Sequence, residues 1–198
     1  MIIGLTGGIG SGKSTVAIFF SKFSNIAIYT ADIEAKKLMN SSINIQEKII
    51  IEFGEYSYLN DQLQLEFLSK IVFNNPEKLL KLNSIVHTEV KKHFQEFVKL
   101  NADKFFIIYE NAILFESKSN KFCDVIISVF SNLDTRIQRV IERDNVTKEE
   151  VIYRIKNQMN EESKLLQSNY IILNEELENT QNQVKKIHNI LTKKIDYF

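Results

Sequence analysis

The chain has 198 residues, which is enough for one α/β domain with an insertion and too short for two domains of typical size. Lys and Arg together number 25, as do Asp and Glu, so the formal net charge is zero and excludes a general surface for nucleic acids. Cys123 is the single cysteine, which excludes an intrachain disulfide and a C-x-x-C metal or redox pair. No apolar run reaches the ~20 residues of a membrane span, so we expect a cytoplasmic location without a membrane partner.

A glycine-rich segment follows the first apolar run of the chain. Residues 7–15 read GGIGSGKST and fit the pattern G-x-x-x-x-G-K-[ST] of the phosphate-binding loop. Lys13 would place its ammonium on the β- and γ-phosphates of a nucleotide, and Ser14 would ligate Mg²⁺ where the following helix begins. A glycine-rich turn without this function would explain neither residue. The residues predicted to contact the phosphates are Gly8, Ile9, Gly10, Ser11, Gly12, Lys13, Ser14 and Thr15.

Short apolar runs that alternate with helical patterns predict a parallel sheet covered by helices on both faces. The predicted strands are residues 1–5, 25–29, 104–109, 124–129 and 169–173. From residue 33 to about residue 100, apolar residues recur at spacings of three and four without a strand pattern. This segment predicts a helical insertion that builds a substrate site, and Asn75 is predicted to cap its long final helix.

Two acidic residues directly follow predicted strands. Asp32 lies just beyond the second strand, and Glu110 comes at the end of the third. Open α/β sheets bind their ligands at the carboxyl ends of the strands. Asp32 could therefore accept a hydroxyl proton and orient the attacking oxygen, but it could equally be the N-cap of the helix predicted to begin at Ile33. The residues alone leave both interpretations open.

Arginines are concentrated in the helix predicted after the fourth strand. Arg136, Arg139 and Arg143 lie at spacings of three and four, so Arg139 and Arg143 share one face. Arg154 and Gln158 repeat this relation in the next helix. Thr147 begins that second helix with a capping-box pattern. Guanidinium groups can bind phosphates bidentately, and a mobile helical hairpin would close them over a nucleotide. A solvated basic face paired with nearby acids is the alternative interpretation.

Several further short motifs follow one another along nearly the whole chain. They are Gly7–Ser14, Ala31-Asp32, Val72-Phe73-Asn74, His87, Glu110, Leu114-Phe115-Glu116, Arg139–Asp144, Arg154–Gln158 and Asn174. This ordered set resembles the dephospho-coenzyme A kinase family. The chain departs from the family's pattern after His87, where Thr88 replaces a proline, and at Gln64-Leu65, where members often carry Asp-Arg.

The resemblance implies a P-loop NTPase fold with three α/β/α layers and a five-stranded parallel sheet in the order 2-3-1-4-5. It implies a single kinase domain over residues 1–198. Its parts would be a nucleotide-binding core (1–32, 103–140 and 167–198), a helical acceptor-binding insertion (33–102) and a helical lid (141–166).

The resemblance also implies the reaction, which is transfer of the γ-phosphate of ATP to the 3′-hydroxyl of the ribose of dephospho-coenzyme A. ATP and Mg²⁺ would be the cofactors, and the acceptor would be the small-molecule partner. Asp32, Lys13 and Arg139 would be the catalytic residues, with Arg139 closing over the phosphates and Asn174 lying by adenine. The residues implied for acceptor binding are Asp32, His87, Glu110, Leu114, Arg154 and Gln158.

Two other functions fit parts of the sequence. A regulatory GTPase would require an N-K-x-D guanine motif, but in residues 120–124 the aspartate comes one position too late. It would also require D-x-x-G, and no aspartate precedes Gly54 by three residues. A kinase for another small molecule, such as a nucleoside monophosphate, is the second alternative. The positions of Asp32 and His87 argue against it.

Overall fold

The computed structural model describes residues 1–73 and 75–195, so Asn74 of the family motif lies outside the described residues. The chain divides into two compact units. The first combines Met1–Thr30 with the chain from Asn101 onward, and the second is Ala31–Leu100. The insertion predicted at 33–102 is offset from the second unit by two residues at each end.

The elements of the described residues follow one another as strands and helices in chain order. They are β1 (Ile2–Thr6), α1 (Lys13–Ser21), β2 (Ile26–Thr30), α2 (Ala31–Ser41), α3 (Ile43–Phe53), β3 (Tyr58–Leu59), β4 (Gln62–Leu63), α4 (Leu65–Phe73), α5 (Pro76–Leu100), β5 (Phe106–Glu110), β6 (Val125–Phe130), α6 (Leu133–Asp144), α7 (Lys148–Lys156), α8 (Glu161–Leu166), β7 (Tyr170–Leu173) and α9 (Leu177–Ile195). Short 3₁₀ turns cover Glu55–Ser57 and Ser119–Phe122.

Within the described part of the first unit, five parallel strands form one sheet in the order β2-β5-β1-β6-β7. When only the five strands of this sheet are numbered along the chain, their order is the predicted 2-3-1-4-5. Their labels differ from the predicted numbers because β3 and β4 belong to the second unit. The α/β fold class is therefore confirmed.

One face of the sheet is covered by α1 and α9. Ile3 and Leu5 of β1 are fully buried and pack with Val16 of α1 and Val184 of α9. Side chains alternate between the two faces of a strand, so Gly4, which lies between them, points to the opposite face. Burial of these apolar side chains fixes β1 in the centre of the sheet and thereby fixes the start of the glycine-rich loop.

Gly4 makes room for close packing on the opposite face. A Cβ atom at this position would lie 2.8 Å from Leu114 Cδ2 and 2.9 Å from Cys123 Sγ. Burial raises the pKa of the Cys123 thiol to about 12, so the thiol stays protonated and does not act as a nucleophile. Cys123 is a packing residue.

The second unit has its own apolar core. Ile45, Ile49 and Phe53 of α3 pack with Leu68 of α4 and Ile85 of α5. The spacing of three or four residues that predicted helices here is the spacing that brings these side chains to one face. The predicted cap of α5 is also confirmed, because the Asn75 side chain accepts a hydrogen bond from the Lys78 N–H at 3.0 Å.

The expectation of an insertion without strands is wrong. The strands β3 and β4 pair antiparallel and form a hairpin. Asn60 and Asp61 connect them with φ angles of 49° and 61°, a left-handed conformation that Asn and Asp tolerate better than other non-glycine residues. Each strand has only two residues, so no alternation of apolar and polar positions could reveal it.

His188 of α9 contacts Phe23, an aromatic residue that packs against the apolar core of the first unit. Its ring stacks on Phe23 with a centroid distance of 3.8 Å and an interplanar angle of 8°. Its Nε2 atom lies 3.2 Å from Asn25 Oδ1. Burial lowers the pKa of His188, so the folded protein holds this imidazole neutral more readily than the unfolded chain does.

We expect this histidine to make the protein less stable in mild acid. The unfolded state binds the proton more strongly, so the stabilisation is complete above the unfolded pKa of about 6.5 and decreases as the pH falls below it. A His188→Phe variant keeps the stacked ring and cannot be protonated. Its melting temperature should therefore fall less than that of the parent between about pH 7.5 and 5.5. Thermal melts of both proteins test this, and equal slopes would contradict it.

Candidate functional site

The glycine-rich loop joins β1 to α1 in the first unit. Gly12 is the N-cap of α1 and has φ 89°, a left-handed conformation that favours glycine. A Cβ atom at Gly12 would overlap the side-chain amide of Asn174. The Ser11 N–H donates to Gly8 O at 3.1 Å and closes a turn within the loop. The loop therefore turns directly into the N-terminus of α1, where phosphate-binding loops place their ligand.

Lys13 lies over this loop and is only 9% exposed. Its ammonium donates to Gly7 O at 2.9 Å and to Gly8 O at 3.2 Å. Among the described residues, the buried hydroxyl of Ser11 has no hydrogen-bond partner. A cation held over the loop and an unused donor within it fit the oxygens of a nucleotide's phosphates.

Glu110 lies at the end of β5 and contacts the start of α1. Its carboxylate accepts from the Ser14 hydroxyl at 2.8 Å and from the Thr30 hydroxyl at 3.1 Å, and the residue is 6% exposed. Glu110 was predicted to bind the acceptor, whereas the structure uses both of its oxygens beside the loop. A carboxylate next to a hydroxyl offers the hard oxygen ligands that Mg²⁺ prefers.

The fit to Mg²⁺ depends on the nucleotide as well. Among residues 1–73 and 75–195, no group of three His, Cys, Asp or Glu side chains could hold a metal ion. Mg²⁺ in phosphoryl-transfer enzymes is usually bound by one or two carboxylates together with substrate phosphates. Ser14 and Glu110 fit that arrangement, so the residues present can hold Mg²⁺ once a nucleotide supplies the remaining oxygens.

We expect a Glu110→Gln variant to need more Mg²⁺. The amide keeps the size of the side chain and loses its charge, and groups that orient a metal ligand typically contribute 10- to 100-fold in metal affinity. The Mg²⁺ concentration for half-maximal rate at fixed ATP should rise by roughly that factor. Asp103→Asn is a matched control, because Asp103 precedes the same strand at its other end and its side chain is 71% exposed. Equal Mg²⁺ requirements in the two variants would exclude Glu110 from the metal site.

Arg139 of α6 reaches the loop with its two Nη atoms. Its Nη1 lies 3.5 Å from Gly10 O and 3.3 Å from Ser131 Oγ, and its Nη2 donates to Asn174 O at 3.0 Å. The guanidinium is therefore placed beside the loop backbone. This is the position in which the predicted contact with nucleotide phosphates is possible.

Asn174 supports the loop with its side chain. Its Nδ2 donates to Ser11 O at 2.8 Å, and its Oδ1 accepts from the Thr180 hydroxyl at 3.0 Å. The residue is 3% exposed, so both polar groups are satisfied inside the protein. This contact explains why Gly12 cannot carry a side chain, and the predicted contact of Asn174 with adenine stays a prediction.

The other arginines of this region bind an acid. Arg143 Nε and Arg154 Nη1 each lie 2.7 Å from a different oxygen of Asp144. The hydrogen bond from Arg143 holds the pKa of Asp144 below its ordinary value. For Arg143 and Arg154 the structure thus matches the alternative of a basic face paired with acids. Arg154 joins α6 to α7 through Asp144, and its predicted contact with the acceptor stays a prediction.

Gln158 and Leu114 were also predicted to bind the acceptor, and both have other contacts. The Gln158 Oε1 atom accepts from the Ile9 N–H at 2.9 Å, so this side chain meets the loop. Leu114 is 0% exposed and packs against Gly4 of β1. Its surface is used by the core, and the predicted contact of Leu114 with the acceptor stays a prediction.

The segment that is predicted to form a lid is anchored at its carboxyl-terminal end. Lys164 of α8 is 0% exposed, and its ammonium lies 3.1 Å from Glu116 Oε1 and donates to Ala112 O at 3.0 Å. The same Glu116 oxygen accepts from the Met159 N–H at 2.7 Å. A buried ammonium needs such partners, so this pair ties α8 to the segment after β5.

Asp32 and His87 belong to the second unit. The helix α2 begins at Ala31, so Asp32 is its second residue and the interpretation of Asp32 as an N-cap is wrong. Burial lowers the pKa of His87, and the charge of Asp32 acts in the opposite direction. These two residues, which the family resemblance implied for the acceptor, are thus electrostatic neighbours.

The sequence analysis named Arg136 as one of three arginines on the predicted helix and assigned no role to Lys164, although both are buried and charged. For Arg136 the signal was its position three residues before Arg139 in the same helix. For Lys164 there was none, because its partner Glu116 is distant in the sequence and no local pattern connects them.

Comparison with known proteins gives the family. The model of the dephospho-CoA kinase family matches residues 1–179 of the chain. The chain belongs to the dephospho-CoA kinase family. A dephospho-CoA kinase of Fusobacterium nucleatum is 39% identical over 175 residues, which cover 88% of this chain and 89% of that protein.

Solved structures agree with this family in fold. The structure of TT1252 from Thermus thermophilus has a TM-score of 0.85 and 28% sequence identity and covers 96% of each chain. A dephospho-CoA kinase from Campylobacter jejuni has a TM-score of 0.71 over 97% of each chain, and its 23% identity shows the fold alone.

Membership of the dephospho-CoA kinase family makes the protein an enzyme, a P-loop kinase that uses ATP and acts on a small molecule. It replaces the alternative of a regulatory GTPase. In the part of the chain that the structure describes, no helix combines the length and hydropathy needed to cross a membrane.

Proposed function

We propose that this protein transfers the γ-phosphate of ATP to the 3′-hydroxyl of the ribose of dephospho-coenzyme A and thereby forms coenzyme A and ADP. The observation that carries the proposal is the family match over residues 1–179, which includes the glycine-rich loop, Glu110 and Arg139 in one chain. The protein acts in the reducing cytoplasm, in keeping with its single cysteine. Its zero net charge is in keeping with a small-molecule acceptor rather than a nucleic acid.

On the donor side, charged groups of this chain stabilise the phosphates. Lys13 lies over the loop, and Arg139 lies beside Gly10 and Asn174. Both cations can bind the negative charge that spreads over the transferred phosphoryl group. Ser14 and Glu110 would hold Mg²⁺, which when bound neutralises charge on the β- and γ-phosphates.

On the acceptor side, Asp32 serves as the proton acceptor. Its carboxylate takes the proton of the 3′-hydroxyl while that oxygen forms a bond to the γ-phosphorus and the bond between the γ-phosphorus and ADP breaks. His87, the electrostatic neighbour of Asp32, contributes to the surface that receives the acceptor. The second unit, Ala31–Leu100, is the acceptor-binding part of the protein.

The proposal is tested by a panel of acceptors. Purified protein is given ATP, Mg²⁺ and one acceptor at a time, and ADP release is measured by a coupled assay. Dephospho-coenzyme A should raise ADP release well above background hydrolysis. Coenzyme A is the matched control, because it differs only by the phosphate already present on the 3′-oxygen and should not be phosphorylated there. A nucleoside monophosphate that proved the better acceptor would reject the proposal.

A further inference from the structure

The tip of the glycine-rich loop is held by residues that the reaction does not use directly. The Ile9 N–H donates to Gln158 Oε1 at 2.9 Å, and the Ile9 C=O accepts from Arg136 Nε at 2.9 Å. The Ile9 side chain packs on the apolar cluster of α6 and α7 around Val140 and Val151. One residue of the loop is thus fixed through both backbone groups and its side chain.

Arg136 is the centre of this contact. Its side chain is 6% exposed, and its Nη1 forms an ion pair with Glu161 of α8. A Cβ atom at Gly8 would overlap the guanidinium and would lie 2.6 Å from Glu161 Oε2. The loop backbone therefore lies directly on the ion pair, and glycine is required at position 8 because a side chain there would displace it.

The contacts of Arg136 distinguish it from Arg139. The Nε atom of Arg136 donates to Ile9 O and its Nη1 to Glu161, whereas Arg139 contacts Gly10, Ser131 and Asn174. The guanidinium is planar and rigid, so the ion pair at one edge fixes the direction of the hydrogen bond at the other. Glu161 therefore acts on the loop through Arg136.

Packing alone does not hold these side chains. A cavity of about 490 Å³ is lined by Arg136, Gln158 and Glu161, and by Phe130, Ser131, Leu133, Ile155, Lys156, Met159 and Asn160. On the side that faces this space the side chains have no packing neighbours, so their hydrogen bonds and charges contribute to where they lie. Loss of the ion pair would consequently release the loop tip.

We propose that Arg136 is a positioning residue that, together with Glu161, holds Gly8 and Ile9 of the glycine-rich loop in the conformation that binds ATP. The inference rests on the proposed function only in that ATP binds to this loop. It links nucleotide affinity to α8 of the lid, because Glu161 belongs to that helix and forms the ion pair with Arg136. A loop without this support must be ordered by the nucleotide itself, at a cost in affinity.

The experiment measures equilibrium binding of a non-hydrolysable ATP analogue with Mg²⁺ by calorimetry, which requires no acceptor and so is independent of the phosphorylated product. Arg136→Met keeps the length of the side chain and removes its charge and donors, and the Kd should rise about tenfold. Arg136→Lys keeps the charge without the planar fork and should give an intermediate Kd. Arg143→Met, a change at the exposed, Asp144-paired arginine of the same helix, should bind as the parent does.

The role of Glu161 is tested by Glu161→Gln and by the double variant. Since Glu161 acts through Arg136, Glu161→Gln should weaken binding by itself and should add little to Arg136→Met. Thermal melts identify folded variants, and if Arg136→Met does not fold, Glu161→Gln carries the test alone. A Kd within about twofold of the parent in folded Arg136→Met or, failing that, in folded Glu161→Gln would overturn the proposal, as would lowered melting temperatures with unchanged Kd.

Discussion

Replacing Lys13 with methionine is expected to lower kcat by about 10³-fold while the protein stays folded. The ammonium of Lys13 lies over the loop carbonyls of Gly7 and Gly8, where the charge of the transferred phosphoryl group must be stabilised. Methionine retains the apolar stem and loses the charge. The two carbonyls lose a donor, which costs about 1–2 kcal/mol of stability and leaves the core of the sheet intact.

Steady-state rates and thermal melts on the same preparations measure this effect. Lys22→Met is the matched control, because Lys22 follows the last residue of the same helix and lies over the ring of Phe19, away from the loop. It should retain the parental kcat. A folded Lys13→Met enzyme with a kcat near that of the parent would remove Lys13 from the catalytic residues.

Replacing Asp32 with asparagine is expected to lower kcat by at least ~10²-fold, since general bases typically contribute ~10²–10⁴-fold. Asparagine has nearly the same shape and lacks the anionic oxygen that would accept the hydroxyl proton. Because α2 begins at Ala31, the side chain of Asp32 is not the helix cap, so the change should affect melting little. The affinity for ATP should be unchanged, which distinguishes the loss of kcat in Asp32→Asn from a loss of nucleotide binding at the glycine-rich loop.

Glu34→Gln is the control for Asp32→Asn, because Glu34 is the other acid in the first turn of α2 and pairs with Lys37 on the surface. It should keep the parental rate. A second measurement is available by NMR titration of His87. The charge of Asp32 raises the pKa of this imidazole, so Asp32→Asn should lower it further. Near-parental kcat in Asp32→Asn would exclude the role of proton acceptor.

Much of the fold could be predicted because its signals are local. The strands of the sheet are buried runs of apolar residues, and the capping box at Thr147 is a four-residue pattern that the structure reproduces with Glu150. The hairpin of β3 and β4 could not be predicted in the same way. Its strands are too short to show a period, and the turn at Asn60 and Asp61 lacks the glycine that usually marks such hairpins.

The site was predictable to the extent that each residue belongs to a motif. The loop could be recognised from its own spacing, whereas spacing alone did not distinguish the arginines of α6 from one another, and only the family resemblance singled out Arg139. Arg139 reaches Gly10, Arg136 reaches Ile9 and Arg143 binds Asp144, although all three have the same side chain and lie on one short helix. Their contacts depend on the direction in which α6 leaves the sheet, and this direction is set by tertiary packing.

The buried pair of Lys164 and Glu116 fixes one end of the segment that is predicted to form a lid. Separating the two side chains would leave the Lys164 ammonium, which is 0% exposed, without its counter-charge, and breaking a buried pair typically costs about 3–5 kcal/mol. The helix α8 is therefore held against the segment that follows β5. We expect any movement of residues 141–166 during nucleotide exchange to be larger in α7 than in α8, because this pair fixes α8.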